Sequence, residues 1–506
     1  MILEKAKTLY STCLFSGVVS FAVTGCGGNT YQNSEKTVPA SFGNVNTAHS
    51  TETDSENHMN LLFIAVDDLK PLLGCYGDSL AVTPNIDSIA DKGTVFMNNH
   101  CQWAVCGPTR ASLLTGWRPE KTGIFDFSRK MRDVNPDVVT LPQYFKEHGY
   151  ETAGRGKIFD PRCVRGGRKH DDVPSWSIPY KPFYGKFRNK ERMVTLSPDV
   201  PDNMLTDGRI AEKGVGLIRK LAHKDKPFFI AVGFKKPHLP FVAPLKYWKL
   251  YKDKDIKTAP FQKPADGVNP IHNYHNSNEL RSYTGVPKNG PIPDELQKKL
   301  IHGYYACVSF IDVQIGKLLS ELKKQGVEDK TIICLWGDHG WHLGDHALWG
   351  KHTSLEQAAR APLIIYSPGY KHGKTFSPTE FVDIYPTLCQ LAGLPVPENL
   401  DGKSLVPLMK DPDAMVKSGA ITSFRRKGFG YSYRDKRYRY IEWIDPKTKK
   451  IIDKELYDYK TDPLETKDFS KDPAYKNIMS KLAAELRKAG KKGCKLLYEV
   501  KNTPEK

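Results

Sequence analysis

The sequence predicts an α/β protein whose central sheet is covered by helices on both sides. Four short segments are apolar at nearly every position: LLFIAV at 61–66, FFIAVGF at 228–234, TIICLW at 331–336 and PLIIY at 362–366. Uninterrupted apolar segments of this length are typical of strands that are buried on both faces of a sheet. Helical patterns separate them, at 87–93 and at 309–326. Strands that alternate with helices indicate an α/β sheet that is covered on both sides.

The residues after about 415 predict a smaller α+β subdomain with an antiparallel sheet. The segment GYSYRDKRYRYIEWI at 430–444 alternates aromatic and charged residues, as one antiparallel strand would. A turn and a return strand are predicted at 445–459, and an amphipathic helix at about 472–491. Residues 259–298 are rich in Pro, Asn and Gly, which predicts a long surface insertion near the functional site.

The first residues are typical of an exported bacterial protein. Lys5 and Lys7 precede an apolar segment at 13–23 that is too short to span a membrane as a mature helix. The segment ends in VTGC, which resembles a lipobox and would make Cys26 the lipid-bearing residue; an ordinary secretory signal is the alternative. The predicted location is the periplasm, the outer membrane or the cell surface. The predicted organisation is a lipoprotein signal peptide at 1–25, a flexible tether at 26–57, a main domain at 58–415 and the C-terminal subdomain at 416–506.

The net charge indicates which classes of binding partner are expected, and the cysteines bear on the redox state of the compartment. The formal net charge is +18 and the pI is about 9.2. Because the basic residues are scattered and no nucleic-acid-binding motif is found, a polyanionic substrate is favoured over nucleic acid. A membrane is expected to be contacted only through the lipid anchor. Eight of the ten cysteines remain after Cys13 and Cys26 are set aside. Some of them can pair in an oxidising compartment, and the sequence does not specify which.

Charged side chains directly follow three of the predicted strands. Asp67 and Asp68 follow the first strand, KKPH at 235–238 the second and GDHG at 337–340 the third. Each alone has a structural explanation, but ligands of open α/β sheets bind at the carboxyl ends of strands, so the three together predict one functional edge. The carboxylates of Asp67, Asp68 and Asp338 suit Ca²⁺ or Mg²⁺. The histidines of DHGWHLGDH leave zinc as the alternative.

The segment CGPTRASLLTG at 106–116 predicts a helix with Cys106 at its N-terminus. Pro108 suits the first turn and Gly116 ends the helix. Free N–H groups and the helix dipole favour an anion beside Cys106, and Arg110 adds a cation one turn further on. Three roles of Cys106 stay open on the residues alone: a disulfide with Cys101, a zinc ligand, or a thiolate nucleophile with a nearby base.

This segment resembles the signature of the type I, formylglycine-dependent sulfatases. The resemblance extends from Met59 to about Asp468 and is strongest for the iduronate-2-sulfatase group and its bacterial polysaccharide-degrading relatives. It is carried by these further segments: NLLFIAVDDL, TPNIDSIADKGTVF, GKIFDP, GFKKPHLPF, GDHGWHLGDH, WGKHTS and ELYDYKTDPLE. The resemblance implies an alkaline-phosphatase-like sulfatase fold, with a large, mixed but mostly parallel sheet flanked by helices in a catalytic domain at 58–415, and the smaller C-terminal α+β subdomain after it.

The resemblance also implies the chemistry of the site. A maturation enzyme would oxidise Cys106 to formylglycine (3-oxoalanine), whose hydrate attacks the sulfate sulfur with one hydroxyl and expels sulfate with the other. Arg110 would orient this diol. Lys157 and Lys351 would bind sulfate, and His238 would bind the substrate and donate a proton to the leaving alcohol. His342 would lie behind these residues or face the substrate.

The metal ligands implied by the resemblance are Asp67, Asp68, Asp338, His339 and the oxygen at position 106, with Ca²⁺ the usual ion and Mg²⁺ an alternative. His339 stands where many members carry Asn, as in the iduronate-2-sulfatase group. Asp160 stands where the closest relatives carry a histidine, which leaves the activation of the nucleophile and the exact sugar open.

The predicted function is removal of O-sulfate from a sulfated polysaccharide or its oligosaccharides, of the ulvan, glycosaminoglycan or carrageenan type. Two alternatives remain. One is a hydrolase of phosphate or phosphonate esters with the same fold. The other is a protein that binds sulfated glycans without catalysis, if Cys106 is not matured.

Overall fold

The computed structural model describes residues 58–500, so the predicted signal peptide, the tether and Cys26 lie outside the described residues. The strands run in this order: β1 (Asn60–Val66), β2 (Thr94–Phe96), β3 (Asn99–His100), β4 (Glu151–Gly156), β5 (Thr195–Leu196), β6 (Phe228–Phe234), β7 (Phe241–Val242), β8 (Thr331–Gly337), β9 (His342–Leu343), β10 (Trp349–Gly350), β11 (Leu363–Tyr366), β12 (Gly373–Thr375), β13 (Thr379–Glu380), β14 (Ala420–Arg426), β15 (Gly428–Arg434), β16 (Tyr438–Ile444) and β17 (Ile451–Asp458).

The helices are α1 (Pro84–Ala90), α2 (Cys106–Thr115), α3 (Pro119–Thr122), α4 (Met131–Val134), α5 (Leu141–Glu147), α6 (Gly167–His170), α7 (Thr206–Leu221), α8 (Leu245–Lys249), α9 (Pro270–Asn273), α10 (Asn278–Arg281), α11 (Asp294–Lys324), α12 (Glu356–Ala359), α13 (Ile384–Leu391), α14 (Val406–Lys410), α15 (Lys476–Ala489) and α16 (Lys495–Tyr498). None of the helices within residues 58–500 combines the length and the apolar character needed to cross a membrane.

The main sheet has seven strands in the order β12-β2-β11-β8-β1-β6-β4. Strand β1 is parallel to both β6 and β8, and β11 is antiparallel to its neighbours β8 and β2. The predicted mixed, mostly parallel sheet is therefore confirmed. The four apolar segments are its strands β1, β6, β8 and β11. Strand β11 begins at Leu363 rather than Pro362, because proline has no N–H to donate to the neighbouring strand.

Both faces of the sheet are buried, as the continuous apolar strands predict. Along β1, Leu62, Ile64 and Val66 belong to one hydrophobic cluster, whereas Leu61 and Phe63 belong to the other. Side chains alternate between the faces of a strand, so each strand stabilises two separate cores. The same geometry brings the carboxyl ends of β1, β6 and β8 to one edge of the sheet.

Two helix predictions need correction at their ends. The helix predicted at 309–326 is the end of α11, which begins at Asp294 directly after Pro293. The insertion predicted at 259–298 therefore ends before α11 and contains the short helices α9 and α10. The helix predicted at 87–93 lies at Pro84–Ala90, because proline at its first position fixes the start of the helix.

The C-terminal residues form the predicted antiparallel sheet, with the order β14-β15-β16-β17. The single strand predicted at 430–444 is wrong, because this segment is a hairpin of β15 and β16. The Asp435 side chain makes the turn by accepting hydrogen bonds from the backbone N–H groups of Arg437 and Tyr438 at 2.7 and 2.6 Å. The predicted C-terminal helix is shortened to Lys476–Ala489. Trp103, which belongs to the predicted main domain, packs within the core of this C-terminal sheet. The two parts therefore share a core, and the domain boundary at 415/416 stays a prediction.

Candidate active site

The N-terminus of α2 places Cys106 at the carboxyl edge of the main sheet. The helix begins at Cys106 and ends at Gly116, which adopts the left-handed conformation (φ 67°) that glycine tolerates. The prediction of a helix that starts at Cys106 is confirmed. The Cys106 Sγ lies 3.3 Å from His339 Nε2 and 3.9 Å from Asp68 Oδ1. Position 106 thus faces the residues that follow β1 and β8.

Of the three roles left open for Cys106, the structure shows no disulfide and disfavours the thiolate nucleophile, whereas Asp338 and His339 stay close enough to Cys106 to keep a metal-ligand role open. All eight cysteines in residues 58–500 are free, so Cys106 forms no disulfide with Cys101 there. The other histidines of DHGWHLGDH turn away from Cys106: His342 Nε2 lies 3.0 Å from Thr353 Oγ1, and His346 Nε2 lies 3.0 Å from the Glu465 carbonyl. Burial raises the pKa of the Cys106 thiol well above its usual value, which disfavours an unmodified thiolate nucleophile.

Three carboxylates converge beside position 106. Asp67 and Asp68 follow β1, and Asp338 follows β8, whose Gly337 pairs with Val66. The Asp68 backbone N–H donates to Asp338 Oδ1 at 2.9 Å, which joins the two strand ends. Asp68 has a φ of 59°, an unusual conformation for a non-glycine residue, and the Tyr304 hydroxyl holds it by donating to the Asp68 carbonyl at 2.7 Å.

Cations balance these carboxylates individually. The Lys157 Nζ lies 2.6 Å from Asp67 Oδ2, and the Lys351 Nζ lies 2.9 Å from Asp68 Oδ1. The Arg110 Nε donates to Asp338 Oδ2 at 2.9 Å. Burial opposes ionisation of Asp67, but the charges of Lys157, His238 and Arg110 outweigh it and hold the pKa of Asp67 well below its usual range.

Arg110 is the most firmly held of the cations. Its guanidinium also contacts Asp67 Oδ1 at 3.3 Å and donates to the carbonyls of Lys157 and Ile158 at 2.5 and 2.9 Å. The side chain is 1% exposed, so Arg110 supports the site from beneath.

The donor atoms fit a hard divalent cation. One atom from each of Asp67, Asp68, Cys106 and His238 lies within 4.8 Å of the others, and the same holds for Cys106, Asp338 and His339. Carboxylate oxygens from two adjacent strands are the ligand type that Ca²⁺ and Mg²⁺ prefer. The two groups share Cys106 and together contain the five predicted ligands, with His238 as a further donor that was not predicted to be a ligand.

His238 and Lys351 share a carboxylate that the sequence did not single out. The Glu279 Oε1 lies 3.1 Å from His238 Nε2, and its Oε2 lies 3.3 Å from Lys351 Nζ. These cations lower the pKa of Glu279 although burial opposes its ionisation. Glu279 lies on α10 within the insertion, which confirms that the insertion reaches the site. Only its Pro-rich, Gly-rich composition pointed there.

The site opens into a cavity of about 720 Å³. The predicted residues on its wall are Asp67, Cys106, Lys157, Asp160, His238 and Lys351. Arg110, Asp68, Asp338 and His339 lie behind them. His342 is fully buried and does not line the cavity, so it is placed behind the wall rather than against a substrate.

Asp160 is neutralised by its own loop. Its carboxylate accepts hydrogen bonds from the Arg162 guanidinium at 2.8 and 2.7 Å and lies 3.8 Å from Lys157 Nζ. The Arg162 guanidinium in turn lies 3.3 Å from the centre of the Phe127 ring. Asp160 thus fixes an arginine at the cavity wall.

Comparisons with known proteins agree with this geometry. The sulfatase family matches residues 59–394, and the C-terminal region of N-sulphoglucosamine sulphohydrolase matches residues 344–492. Mouse iduronate 2-sulfatase is 33% identical over 515 residues, which cover 84% of this chain and 93% of that protein. A sulfatase of Formosa agariphila is 32% identical over 456 residues, covering 85% and 86%.

The fold has close counterparts among solved structures. A structure described as a complex with its substrate D-glucosamine-2-N,6-O-disulfate superposes with a TM-score of 0.69 at 22% identity, and covers 88% of this chain and 99% of that chain. The architecture is the alkaline-phosphatase-like sulfatase fold, with a large mixed sheet and a C-terminal antiparallel sheet. The chain belongs to the sulfatase family, next to the iduronate-2-sulfatase-like members, and is a sulfuric ester hydrolase.

Proposed function

We propose that this enzyme removes an O-sulfate group from a sulfated glycan, with a glycosaminoglycan-type or ulvan-type acidic polysaccharide favoured over carrageenan. The observation that carries the proposal is the position of Cys106, at a helix N-terminus on the wall of a 720 Å³ cavity that Lys157 and Lys351 also line. This arrangement suits a tetrahedral anion held by two lysines. The names of the similar proteins, iduronate 2-sulfatase among them, support a sugar sulfate as the substrate class.

The nucleophile in this proposal is formylglycine at position 106, formed by a maturation enzyme. Once formed, this group supplies a hydrated aldehyde that can both attack sulfur and release sulfate. The burial of the Cys106 thiol and its raised pKa support the need for such a modification, because the unmodified side chain is a poor nucleophile there.

The surrounding residues take the roles that their positions allow. Lys157 and Lys351 bind the sulfate oxygens and stabilise the charge that develops on them. Asp67, Asp68, Asp338 and His339 hold Ca²⁺, or Mg²⁺, which supplies positive charge beside position 106. Arg110 fixes the carboxylates from below, and its position behind the wall favours an orienting role.

His238 is the proposed proton donor to the leaving alcohol. It lines the cavity, and its Nε2 faces Glu279 and, at 3.8 Å, Asp68. These carboxylates raise the pKa of His238 although burial opposes protonation. A protonated imidazole at the cavity wall is suited to general acid catalysis. Asp160 is proposed to act through Arg162 rather than on the nucleophile.

Export and anchoring complete the proposal. The lipobox-like VTGC segment supports a lipid on Cys26 and a location in the periplasm, the outer membrane or at the cell surface. Labelling with a radioactive fatty acid, with Cys26→Ala as the test variant, is expected to give a labelled parent protein and an unlabelled variant.

The decisive experiment combines maturation and turnover. Mass spectrometry of the peptide that contains position 106 is expected to show formylglycine, and free sulfate is expected from a panel of defined sulfated oligosaccharides. Cys106→Ala should abolish sulfate release, whereas Cys75→Ala, which removes a half-buried thiol outside the site, should retain it.

Other outcomes would change the assignment. An active enzyme with only unmodified cysteine would refute the formylglycine mechanism. Faster turnover of a phosphate or phosphonate ester than of any sulfate ester would favour the alternative hydrolase. Glycan binding without sulfate release would favour a non-catalytic protein.

A further inference from the structure

Two smaller cavities adjoin the active-site cavity on the side of the C-terminal sheet. One has a volume of about 400 Å³ and shares Phe127 and His352 with the active-site cavity. The other has a volume of about 290 Å³ and shares Glu279 and His352 with it. Arg425 and Arg426, at the end of β14, line both of them. We call these two cavities together the arginine groove.

The arginine groove begins close to the reacting position. Val105 lines it and is followed in the chain by Cys106, and His352 lines it directly after Lys351. The Cα atoms of consecutive residues are 3.8 Å apart. The groove therefore lies within reach of the residue next to a sugar that carries its sulfate at position 106.

The floor of the groove suits a sugar ring. The ring centre of Trp103 lies 5.4 Å from that of Phe125 and 5.6 Å from that of Phe424. Trp103 and Phe424 are buried, whereas Phe125 and Phe127 are half-buried, so aromatic carbon remains accessible at the surface of the groove. The C–H face of a pyranose is apolar and packs on such carbon.

The two arginines are exposed and form no ion pair with the described carboxylates that line the same cavities. Within residues 58–500 neither Arg425 nor Arg426 forms a hydrogen bond through its side chain or an ion pair, whereas Arg434 and Arg439 of the same sheet contact Glu356. Neighbouring protein atoms partly desolvate the Arg426 guanidinium and lower its pKa. The carboxylate on the 400 Å³ side, Asp126, accepts hydrogen bonds from the Ser128 N–H and hydroxyl, and Arg425 also helps to lower its pKa. The carboxylate on the 290 Å³ side, Glu279, is paired with His238 and Lys351.

We propose that the arginine groove binds a second anionic group of the substrate, a carboxylate or a sulfate on the sugar next to the one that loses its sulfate. This inference rests on the proposed function and narrows it to acidic glycans whose adjacent residues are charged. Arginine can donate two parallel hydrogen bonds to either anion, so both groups fit the same pair of side chains. A glycan with uncharged neighbours would leave both guanidinium groups without a partner.

The test uses three disaccharides that share the same sulfated residue and differ in the neighbouring one, which carries a carboxylate, a sulfate or no charge. Arg425→Gln/Arg426→Gln is compared with Lys427→Gln, which removes an exposed cation from the same hairpin outside the groove. Mass spectrometry first establishes equal formylglycine content in the three proteins.

The wild-type enzyme is expected to prefer a charged neighbour by roughly ten-fold in kcat/KM, and mainly through a lower KM. The reason is that one hydrogen bond to a charged group changes the affinity by about ten-fold. The preference should nearly vanish in the double variant, persist in Lys427→Gln and shrink at high ionic strength. The larger of the two preferences identifies carboxylate or sulfate as the natural anion.

This inference is overturned, with the proposed function intact, if an active wild-type enzyme shows no preference or if the double variant shows the same preference as the wild type. An equal loss in Lys427→Gln would also overturn it, because the effect would then be general surface charge. Failure of matured wild-type enzyme to release sulfate from any ester in the panel would instead overturn the proposed function.

Discussion

Replacing Arg110 by methionine is expected to destabilise the protein strongly. Methionine keeps much of the length of the side chain but removes the guanidinium that contacts Asp338 and Asp67 and two backbone carbonyls. Removing one partner from a buried ion pair leaves uncompensated charge and costs roughly 3–5 kcal/mol. The free energy of unfolding of Arg110→Met should therefore fall by about that amount.

The matched control is Arg165→Met. Arg165 also pairs with an aspartate, Asp133, at 2.5 Å, but its side chain is 62% exposed, against 1% for Arg110. Exposed pairs contribute about 0–1 kcal/mol, because solvent screens them. Urea denaturation followed by tryptophan fluorescence, in a metal-free buffer, compares the two variants. An Arg110→Met protein that loses no more stability than Arg165→Met would refute the view that Arg110 holds the carboxylates together.

Three further outcomes are expected. Asp338→Ala should lose most of its bound Ca²⁺ by elemental analysis, whereas Asp133→Ala, at the surface, should not; full metal content in Asp338→Ala would refute the metal assignment. Glu279→Gln should bind inorganic sulfate several-fold more tightly, measured as competitive inhibition, because removing its charge leaves Lys351 less neutralised; weaker inhibition would contradict this. Burial raises the pKa of Glu455 to about 7, so its contribution to stability is present below about pH 4.5 and is lost as the pH rises through 7. As the pH rises from about 4.5 to about 7, the free energy of unfolding of Glu455→Gln should therefore increase relative to that of the wild type by roughly 3 kcal/mol. A difference between the two proteins that does not change with pH would contradict the raised pKa.

The sequence predicts the central strands well because burial on both sheet faces leaves a direct record in it. Segments such as 228–234 are apolar at every position and coincide with a strand. The acids that follow β1 and β8 are predicted for the same reason, since strand order brings them to one edge. The start of α2 is predicted because Pro108 and Gly116 are local signals whose effect does not depend on the rest of the chain.

What the sequence does not predict depends on contacts between distant segments. Glu279 is unremarkable in an irregular insertion, and only the folded chain brings it to His238 and Lys351. The sequence predicts one strand at 430–444, where the structure has a hairpin, because aromatic and charged residues alternate on both sides of the turn. His342 sits within the same motif as Asp338, but a bond to Thr353 turns its imidazole away from the cavity.

The wall formed by β14 and the wall that carries position 106 come from different parts of the chain. Residues 424–427 form one tip of the C-terminal sheet, whereas Cys106 begins α2, Lys157 follows β4 of the main sheet and Lys351 follows the short strand β10. If the arginine groove binds a second anion as proposed, substitutions at the tip of that hairpin would change the preference among sulfated polymers without altering the residues proposed to bind sulfate. Exchanging four residues between related enzymes would be a compact way to redirect such a scaffold.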